Sequence, residues 1–520
     1  MTGPFEIIVF GVLFVALVLS FLPKARFARA AFLASGIAFA GFVAISTFGT
    51  PRGPLVPGAL LALILPFVTF ARLEYPKPGN WRRGTVFGIY IVLSSLLAVV
   101  SVVMPLGFPV FNPPAPSGAY GVGYTRAVIV DDARAEAATD DDADRRELVV
   151  QVWYPGKVPS DADPLPFIPD PEQAAHLMGD NLGLPLEFFD YLEDIKGHSF
   201  SGVDIVSSES ALPTLVFSHG FGSIGAQNVL LMEHLASNGY VVFSIEHPYQ
   251  AAWVRLGDGR EASFDPTRQF RPRPDTPEET QALIDTIIRM ADAEDYEAYL
   301  KEVSALMTNQ PGFITGLQVW VEDTKFLFDQ LQAEAIPEFS DLYGKIRTDR
   351  FGVFGMSYGG AAAGVVCLND SRCQAGINMD GLQFGEHNME FPISRPFMIM
   401  NSDQNLFKEA ASRVGPVRFK TNEFVYRQAT GPIYSLTVGD AQHMNYSDFA
   451  YLMPIAAQFD MFGPVSPDAM NRIMNTHVLG FFDKYIKGHA GSAFGHAAPQ
   501  DPDILEFIHR NVDEGKIVSE

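Results

Sequence analysis

The sequence predicts an α/β fold built on a doubly wound, mostly parallel sheet, preceded by an all-α bundle of four transmembrane helices. Three observations support this prediction. Strand-like apolar runs alternate with helical stretches after residue 124, as in sheets covered on both faces. A Gly-x-Ser-x-Gly turn at 355–359 separates such a run from small helix-forming residues. Four long apolar segments open the chain.

The apolar segments are near the length a helix needs to cross a membrane. A signal peptide is the competing interpretation of the first, but no basic region precedes it and no clear cleavage site follows. Glu6, at the very edge of the first segment, is the only Asp, Glu, Lys, Arg or His inside the four segments, which favours an anchor over an ion pathway. The predicted spans are residues 5–22, 30–48, 55–71 and 86–103.

Positive charge in the loops predicts the orientation of the bundle. The first and third loops are basic, the second has only Arg52, and the N-terminus has no Lys or Arg. The positive-inside rule then places both ends of the bundle outside, with the rest of the chain periplasmic or extracellular at a bacterial inner membrane. The basic residues are Lys24, Arg26 and Arg29 in loop one, and Arg72, Lys77, Arg82 and Arg83 in loop three.

Composition narrows the partners. The formal net charge of −23 argues against nucleic acid, whose phosphates would be repelled. Two cysteines, Cys367 and Cys373, are too few for a disulfide scaffold. They could form one disulfide in an oxidising compartment or stay as buried thiols. We expect no metal and no organic cofactor, and the sequence does not indicate an oligomeric state.

Domain boundaries follow from composition. Residues 1–106 form the predicted membrane domain, 107–123 a linker rich in Pro and Gly, and 124–520 the catalytic domain. A charged helical stretch at 277–307 interrupts the alternation, either as a lid or as an extra core helix. A hairpin of runs 127–131 and 148–154 precedes the main strands, which are predicted at 214–218, 240–245, 351–354, 375–379, 396–401 and 433–438.

The Gly-x-Ser-x-Gly turn places Ser357 between a strand and a helix. This is the nucleophile elbow of α/β-hydrolases, in which a strained turn lifts the serine hydroxyl above the sheet. A serine needs a base to take its proton and an acid to hold that base, in the chain order Ser, acid, His. His443 follows the last apolar strand and is the candidate base. Asp380 and Asp403 both end strands and compete for the acid.

An oxyanion hole needs backbone N–H donors beside the serine. One candidate is the amide of Tyr358, the residue after the nucleophile. The other is the amide of Phe221, in the loop that follows the strand-like run at 214–218. His219 in that loop is interpreted as a packing and hydrogen-bonding residue.

Several pieces of the chain match one known family. They are residues 216–220, 235–242 with Glu246 and His247, Gly355-x-Ser357-x-Gly359-Gly360, the strand that ends at Asp380, and His443-x-Asn445-x-x-Asp448-Phe449. With these pieces, residues 110–490 resemble the platelet-activating-factor acetylhydrolase family, its secreted and type II enzymes. The resemblance implies that Asp380 is the acid, with Asp403 as the runner-up. The chain departs from the family at Met356, where a histidine is usual, and in the membrane helices and the 277–307 stretch.

The resemblance implies a calcium-independent serine esterase acting on phospholipids with short or oxidised acyl chains. The expected partners are a lipid ester and the bilayer. A lipid acyltransferase with the same residues is an alternative, as is an esterase for soluble esters, polyesters or peptides. A membrane protein carrying a decayed, non-catalytic hydrolase domain is the alternative from another class.

Overall fold

The computed structural model describes residues 4–22, 25–48, 52–74, 81–265, 276–308, 311–385, 390–403, 419–459, 461–489, 494 and 501–512. Within it the chain forms two compact units. The first comprises residues 1–113, 166–197 and 451–458, and the second comprises 114–165, 198–450 and 459–520. The division of the chain into the domains expected from the sequence stays a prediction.

Four helices form the core of the first unit: α1 (Pro4–Phe21), α2 (Ala25–Phe48), α3 (Val56–Glu74) and α4 (Trp81–Gly107). Three of them are long and apolar enough to cross a membrane, over residues 26–45, 53–70 and 88–107. The apolar part of α1, Ile8–Phe21, is shorter, so the fourth span stays a prediction. Lys24 and Lys77 in the predicted cytoplasmic loops lie outside the described residues.

The bundle buries small side chains and exposes large apolar ones. Ala16, Ala38 and Ala62 are fully buried where the helices meet, because small residues let helix backbones approach closely. Large apolar side chains are exposed along the helices, a pattern that suits contact with lipid better than contact with water. They include Phe14, Leu33, Ile37, Phe67 and Leu96.

The first unit also contains α5 (Pro171–Leu182) and a 3₁₀ helix, Leu186–Asp194. Arg52 pairs with Glu6 at 3.0 Å and with Asp194 at 3.6 Å, which ties this segment to the bundle. Phe108 contacts the rings of Phe188 and Phe189 edge-on. The segment therefore packs part of its apolar surface, and Leu182 and Leu186 remain 43% and 36% exposed.

The second unit is built on a ten-stranded sheet. Its strands are β1 (Gly121–Ala135), β2 (Arg145–Gly156), β3 (Ser199–Ser201), β4 (Leu212–Ser218), β5 (Val241–Glu246), β8 (Ile346–Met356), β9 (Cys373–Met379), β10 (Phe397–Asn401), β11 (Ile433–Val438) and β12 (Ile504–Arg510). Their order across the sheet is β12-β11-β10-β9-β8-β4-β5-β2-β1-β3. The six strands from β11 to β5 are parallel neighbours, while β2–β5, β1–β2 and β11–β12 pair antiparallel. A separate hairpin pairs β6 (Trp253–Arg255) with β7 (Glu261–Ser263).

Helices cover both faces of this sheet. Phe351 and Phe354 are three positions apart on β8, so their side chains point to opposite faces. Phe351 stacks on Phe328 of the helix Pro311–Gln332, and Phe354 contacts Phe482 of the helix Pro467–Tyr485. The helices of the second unit are α6 (Val229–Ser237), α7 (Pro277–Ala291), α8 (Tyr296–Thr308), α9 (Pro311–Gln332), α10 (Tyr358–Asn369), α11 (Glu423–Gln428) and α13 (Pro467–Tyr485), and α12 (Phe449–Leu452) crosses the unit boundary.

This architecture confirms the predicted α/β-hydrolase fold. Each strand-like run predicted for the main sheet is a strand of it, and the predicted hairpin is the antiparallel pair β1–β2. The carboxyl ends of β4, β8, β9, β10 and β11 meet at one edge because these strands are parallel. Functional side chains of open α/β sheets collect at this edge.

Candidate active site

Ser357 lies in a strained turn between β8 and α10. Its backbone has φ 56° and ψ −118°, a conformation that non-glycine residues adopt only when their surroundings force it. The surroundings here are tight: a Cβ on Gly359 would overlap the carbonyl oxygen of Ser218, and one on Gly355 would overlap the backbone of Gly359. The amide of Ser357 also donates to the carbonyl of Met379 at 2.8 Å. The glycines are thus required by close approach of the backbone.

His443 reaches Ser357 from the loop after β11. Its Nε2 lies 2.9 Å from Ser357 Oγ, and its Nδ1 lies 2.7 Å from Asp380 Oδ2. A 3₁₀ turn, His443–Tyr446, carries the imidazole. Asn445 holds this turn, since its side-chain oxygen accepts from the amides of Gln442 at 2.8 Å and Gly463 at 2.7 Å. These two hydrogen bonds hold the turn and thereby help to position the imidazole.

The structure brings Asp380, and not Asp403, to the imidazole. Asp380 follows β9 with φ 56°, and its other carboxylate oxygen accepts from the amide of Ser402 at 2.6 Å. Asp403 follows β10 and accepts from the amide of Asp440 at 3.3 Å. We call Ser357, His443 and Asp380 the cavity trio.

The loop after β4 runs beside the serine. A Cβ placed on Gly220 would lie 3.5 Å from the Cβ of Ser357. Both sides of Gly220 are held: its amide donates to Gln227 Oε1 at 2.9 Å, and its carbonyl accepts from His219 Nδ1 at 2.7 Å. The amide of Phe221 shares a peptide plane with that carbonyl and points the opposite way. Fixing the carbonyl therefore also fixes the candidate oxyanion donor.

His219 is fully buried. Burial, together with the neighbouring His247, lowers the pKa of His219 to about 3. Its ring is therefore neutral, with the Nδ1 proton committed to the Gly220 carbonyl. Tyr358 is the first residue of α10, so its amide belongs to the first-turn N–H groups that have no acceptor within a helix.

A cavity of about 250 Å³ opens at the cavity trio. Tyr358, Phe313, Leu382 and Phe384 give it an apolar side. His443 is 47% exposed and Asp380 12% exposed at their side chains, so a small molecule could reach the serine and the imidazole. Asn401, Ser402, Thr421 and Asn422 supply a more polar side.

The sequence did not suggest a second Ser–His–Asp arrangement in the same unit. His247 Nδ1 lies 2.8 Å from Asp323 Oδ2, and His247 Nε2 lies 3.3 Å from Ser218 Oγ. Ser218 is 4% exposed, and the other two are fully buried. We call these residues the buried trio. In the sequence, only the Glu246-His247 pair at the end of β5 pointed to it, and that pair was interpreted as part of a family motif.

An arginine closes the buried trio. Arg146 donates to both carboxylate oxygens of Asp323, at 3.1 and 2.7 Å, and to Glu136 at 2.8 Å. Burial alone would raise the pKa of Asp323, but Arg146 holds it well below its usual range. Burial lowers the pKa of His247 to about 4. The network thus contains a permanent ion pair and a neutral imidazole.

The structure pairs Cys367 with Cys373 as a disulfide, with their Cα atoms 5.0 Å apart. The bridge joins the end of α10 to the start of β9, between the serine and Asp380. Within the described part of the chain, no group of three or more His, Cys, Asp or Glu side chains is arranged to hold a metal ion.

Comparison with known proteins gives one family. The family model described as "Platelet-activating factor acetylhydrolase, isoform II" matches residues 109–292 and 314–499. Among curated proteins, the chain is similar to platelet-activating factor acetylhydrolase of Gallus gallus, with 21% identity over 72% of this chain and 83% of that protein. The enzyme of the same name from Cavia porcellus is 22% identical over 53% of this chain and 57% of its own length.

Among solved structures, the chain is similar to a ferulic acid esterase from Streptomyces cinnamoneus. The TM-score is 0.55, with 22% identity, over 76% of this chain and 99% of the esterase. This likeness supports the fold. The family match spans well over half of the chain and includes all three residues of the cavity trio. The chain therefore belongs to the platelet-activating factor acetylhydrolase family and is a hydrolase of that ester-cleaving type.

Proposed function

We propose that the chain is a membrane-anchored serine esterase that hydrolyses lipid esters with short or modified acyl chains. Its activity would resemble that of a 1-alkyl-2-acetylglycerophosphocholine esterase. The observation that carries the proposal is the hydrogen-bonded series from Ser357 Oγ through His443 to Asp380, with separations of 2.9 and 2.7 Å, opening on a cavity.

In the first half-reaction Ser357 Oγ attacks the ester carbonyl carbon while His443 Nε2 takes its proton. Asp380 stabilises the imidazolium through Nδ1–H. Collapse of the tetrahedral intermediate breaks the bond to the alcohol, and His443 returns the proton to that leaving oxygen. In the second half-reaction His443 activates water, which attacks the acyl-enzyme and releases the carboxylic acid with Ser357 regenerated.

The amides of Phe221 and Tyr358 are the proposed donors to the oxyanion. They are backbone groups held before the reaction begins, so they need little reorganisation when charge develops on the oxygen. His219 supports this arrangement through the Gly220 carbonyl. No step calls for a metal or an organic cofactor.

Two features favour a lipid ester as the substrate. The relatives that match over most of the catalytic unit are named for hydrolysis of platelet-activating factor. The helices of the first unit expose large apolar side chains, which favours anchoring in a bilayer, and the exposed Leu182 and Leu186 are candidates for lipid contact. We place the catalytic unit on the periplasmic or extracellular side because loops one and three carry the basic residues.

The nucleophile is tested with Ser357→Ala in the full-length protein in detergent micelles. We expect the turnover of an acetyl ester to fall by a factor on the order of 10⁶, as for other serine hydrolases. Substantial activity in folded Ser357→Ala protein would overturn the assignment.

The lipid preference is tested by presenting an acetylated ether phospholipid in vesicles to the reconstituted protein. We expect its kcat/KM to exceed that of a water-soluble acetyl ester of similar reactivity. Equal values would reduce the helices to a tether without a part in substrate access.

A further inference from the structure

Three aromatic rings form one wall of the cavity beside Ser357. Phe313 stacks on Phe384 with ring centroids 4.3 Å apart and meets Tyr358 edge-on at 4.7 Å. Tyr358 and Phe384 are 5.7 Å apart. Phe384 is 3% exposed, so it is packed on nearly all sides and leaves no free space next to Phe313. The cavity can become deeper on this side only if one of the three rings moves or is removed.

Tyr358 anchors the wall to the reaction centre. Its phenolic hydroxyl donates to the Phe313 carbonyl at 2.6 Å. Burial raises the pKa of Tyr358 well above its usual range, so the hydroxyl remains a donor at all working pH values. Tyr358 also carries a proposed oxyanion donor on its backbone. The position of Phe313 is therefore fixed relative to the ester carbonyl of the substrate that Ser357 attacks.

The segment that supplies Phe313 lies outside the part of the chain that the family model matches. The family model matches residues 109–292 and 314–499, so residues 293–313 lie between the matched segments. They contain α8 and the first turn of α9. From α8, Tyr299 donates to the carbonyl of Thr421 at 2.9 Å, and Thr421 lines the same cavity. The segment thus contributes one wall of the cavity and braces another.

We infer that this segment, through Phe313 stacked on Phe384, limits the length of the acyl chain that the enzyme accepts. The inference rests on the proposed function, since it requires an acyl group on Ser357. A hydrocarbon chain suits the aromatic side of the cavity, whereas the leaving alcohol of a phospholipid carries a charged phosphate. At about 250 Å³ the cavity is smaller than the pockets of about 300–1,000 Å³ that hold drug-sized ligands, which favours a short chain.

The test uses full-length Phe313→Ala and Phe384→Ala and two series of esters. In one series the alcohol is p-nitrophenol and the acid runs from acetate through butyrate and octanoate to dodecanoate. In the other the acid is acetate and the alcohol is lengthened. Phe326→Ala is the matched control, because Phe326 lies on α9 but packs towards Arg134, away from the cavity.

We expect Phe313→Ala and Phe384→Ala each to raise the octanoate-to-acetate ratio of kcat/KM by about tenfold or more, since even one methylene in a pocket changes selectivity by about 10–200-fold. Phe326→Ala should keep the wild-type octanoate-to-acetate ratio. In the series of acetate esters, the dependence of kcat/KM on the length of the alcohol should be the same in all variants as in the wild-type protein. If Phe313→Ala does not fold, Phe313→Leu replaces it, with a smaller shift in the same direction.

An unchanged acyl profile in both folded variants would overturn the inference. A shift confined to the alcohol series would also overturn it, because the wall would then bound the alcohol site. Ser357→Ala separates these failures from failure of the proposed function. If Ser357→Ala is inactive and the profile is unchanged, the wall assignment alone is wrong.

Discussion

The cavity trio and the buried trio contain the same residue types in the same hydrogen-bonding order, but they lie in different surroundings. In the cavity trio the imidazole is 47% exposed at its side chain, and the serine has a strained backbone. In the buried trio the imidazole is fully buried and Ser218 is the last residue of a regular strand. A Ser–His–Asp pattern therefore does not identify a nucleophile.

The carboxylates differ as well. Asp380 accepts from His443 and from one backbone amide, so its charge is directed at the imidazole. Asp323 is shared among His247 and the guanidinium groups of Arg146 and Arg134. Because arginine neutralises the charge of the Asp323 carboxylate, this carboxylate would stabilise an imidazolium at His247 only weakly. The two trios thus differ in three features: the exposure of the imidazole, the backbone strain at the serine, and whether the carboxylate is also paired with arginine.

Among the variants that leave Ser357 in place, Asp380→Asn should have the largest effect, and this effect is on turnover. The amide cannot accept from Nδ1–H as the carboxylate does, and the wrong tautomer of His443 becomes favoured, which costs about 10⁴-fold in kcat. Asp403→Asn is the matched control and should keep most of the activity. Steady-state kinetics on an acetyl ester measure both, and the reverse ranking would assign the acid to Asp403.

Asp323→Asn should instead affect stability. Removing this charge leaves Arg146 without its bidentate partner in a buried site, and breaking a buried ion pair costs about 3–5 kcal/mol of unfolding free energy. Denaturant unfolding in detergent measures the loss. Asp349, whose side chain is 66% exposed, provides the control variant Asp349→Asn, with no measurable change expected. An Asp323→Asn protein that is fully stable but inactive would give the buried trio a direct part in catalysis.

A third variant probes the link between the two trios. His219→Ala removes the proton that holds the Gly220 carbonyl, so the amide of Phe221 loses its orientation. Loss of one oxyanion donor costs about 10²–10³-fold in kcat, and a misplaced donor should cost up to about 10². KM should change little. His219→Asn retains a donor near Nδ1 and should recover part of kcat. Equal losses of kcat in both variants would contradict a positioning role.

The smallest expected effect is on pH dependence. In the folded protein burial lowers the pKa of His247 to about 4, against about 6.5 in an unfolded chain. The unfolded state therefore binds more protons between these values. The contribution of His247 to the free energy of unfolding is therefore complete above about pH 6.5. It falls as the pH is lowered towards about 4, by at most about 1.4 kcal/mol per pH unit. His247→Asn should flatten the slope, and an unchanged slope would contradict this assignment.

Residue patterns were sufficient for the central sheet because its strands are short apolar runs that end in polar residues. They also placed Ser357 and His443, since each follows such a strand. The choice between Asp380 and Asp403 depended on the family resemblance, because β9 and β10 end at the same edge. Geometry separates the two only through the direction of each side chain.

Other features depend on tertiary contacts that no local pattern carries. β12 was missed, and its residues are mostly half-buried at the sheet edge. The apolar run 182–192 does not reveal by itself which of its side chains are buried. The first unit buries Phe189 and Leu192 to 1% and 2% exposure, whereas Leu182 and Leu186 are exposed. Phe313 lines the cavity only because α9 packs against α10. Such contacts join residues far apart in sequence.

The most direct test of the account is labelling with a fluorophosphonate, followed by mapping of the modified peptide. The comparison of the two trios predicts that the probe modifies Ser357 in the wild-type protein and in Ser218→Ala. It predicts no stoichiometric labelling of Ser357→Ala, because Ser218 is buried and lies in an unstrained strand. Stoichiometric modification of Ser218, or of another serine in folded Ser357→Ala protein, would contradict the central claim that Ser357 is the nucleophile.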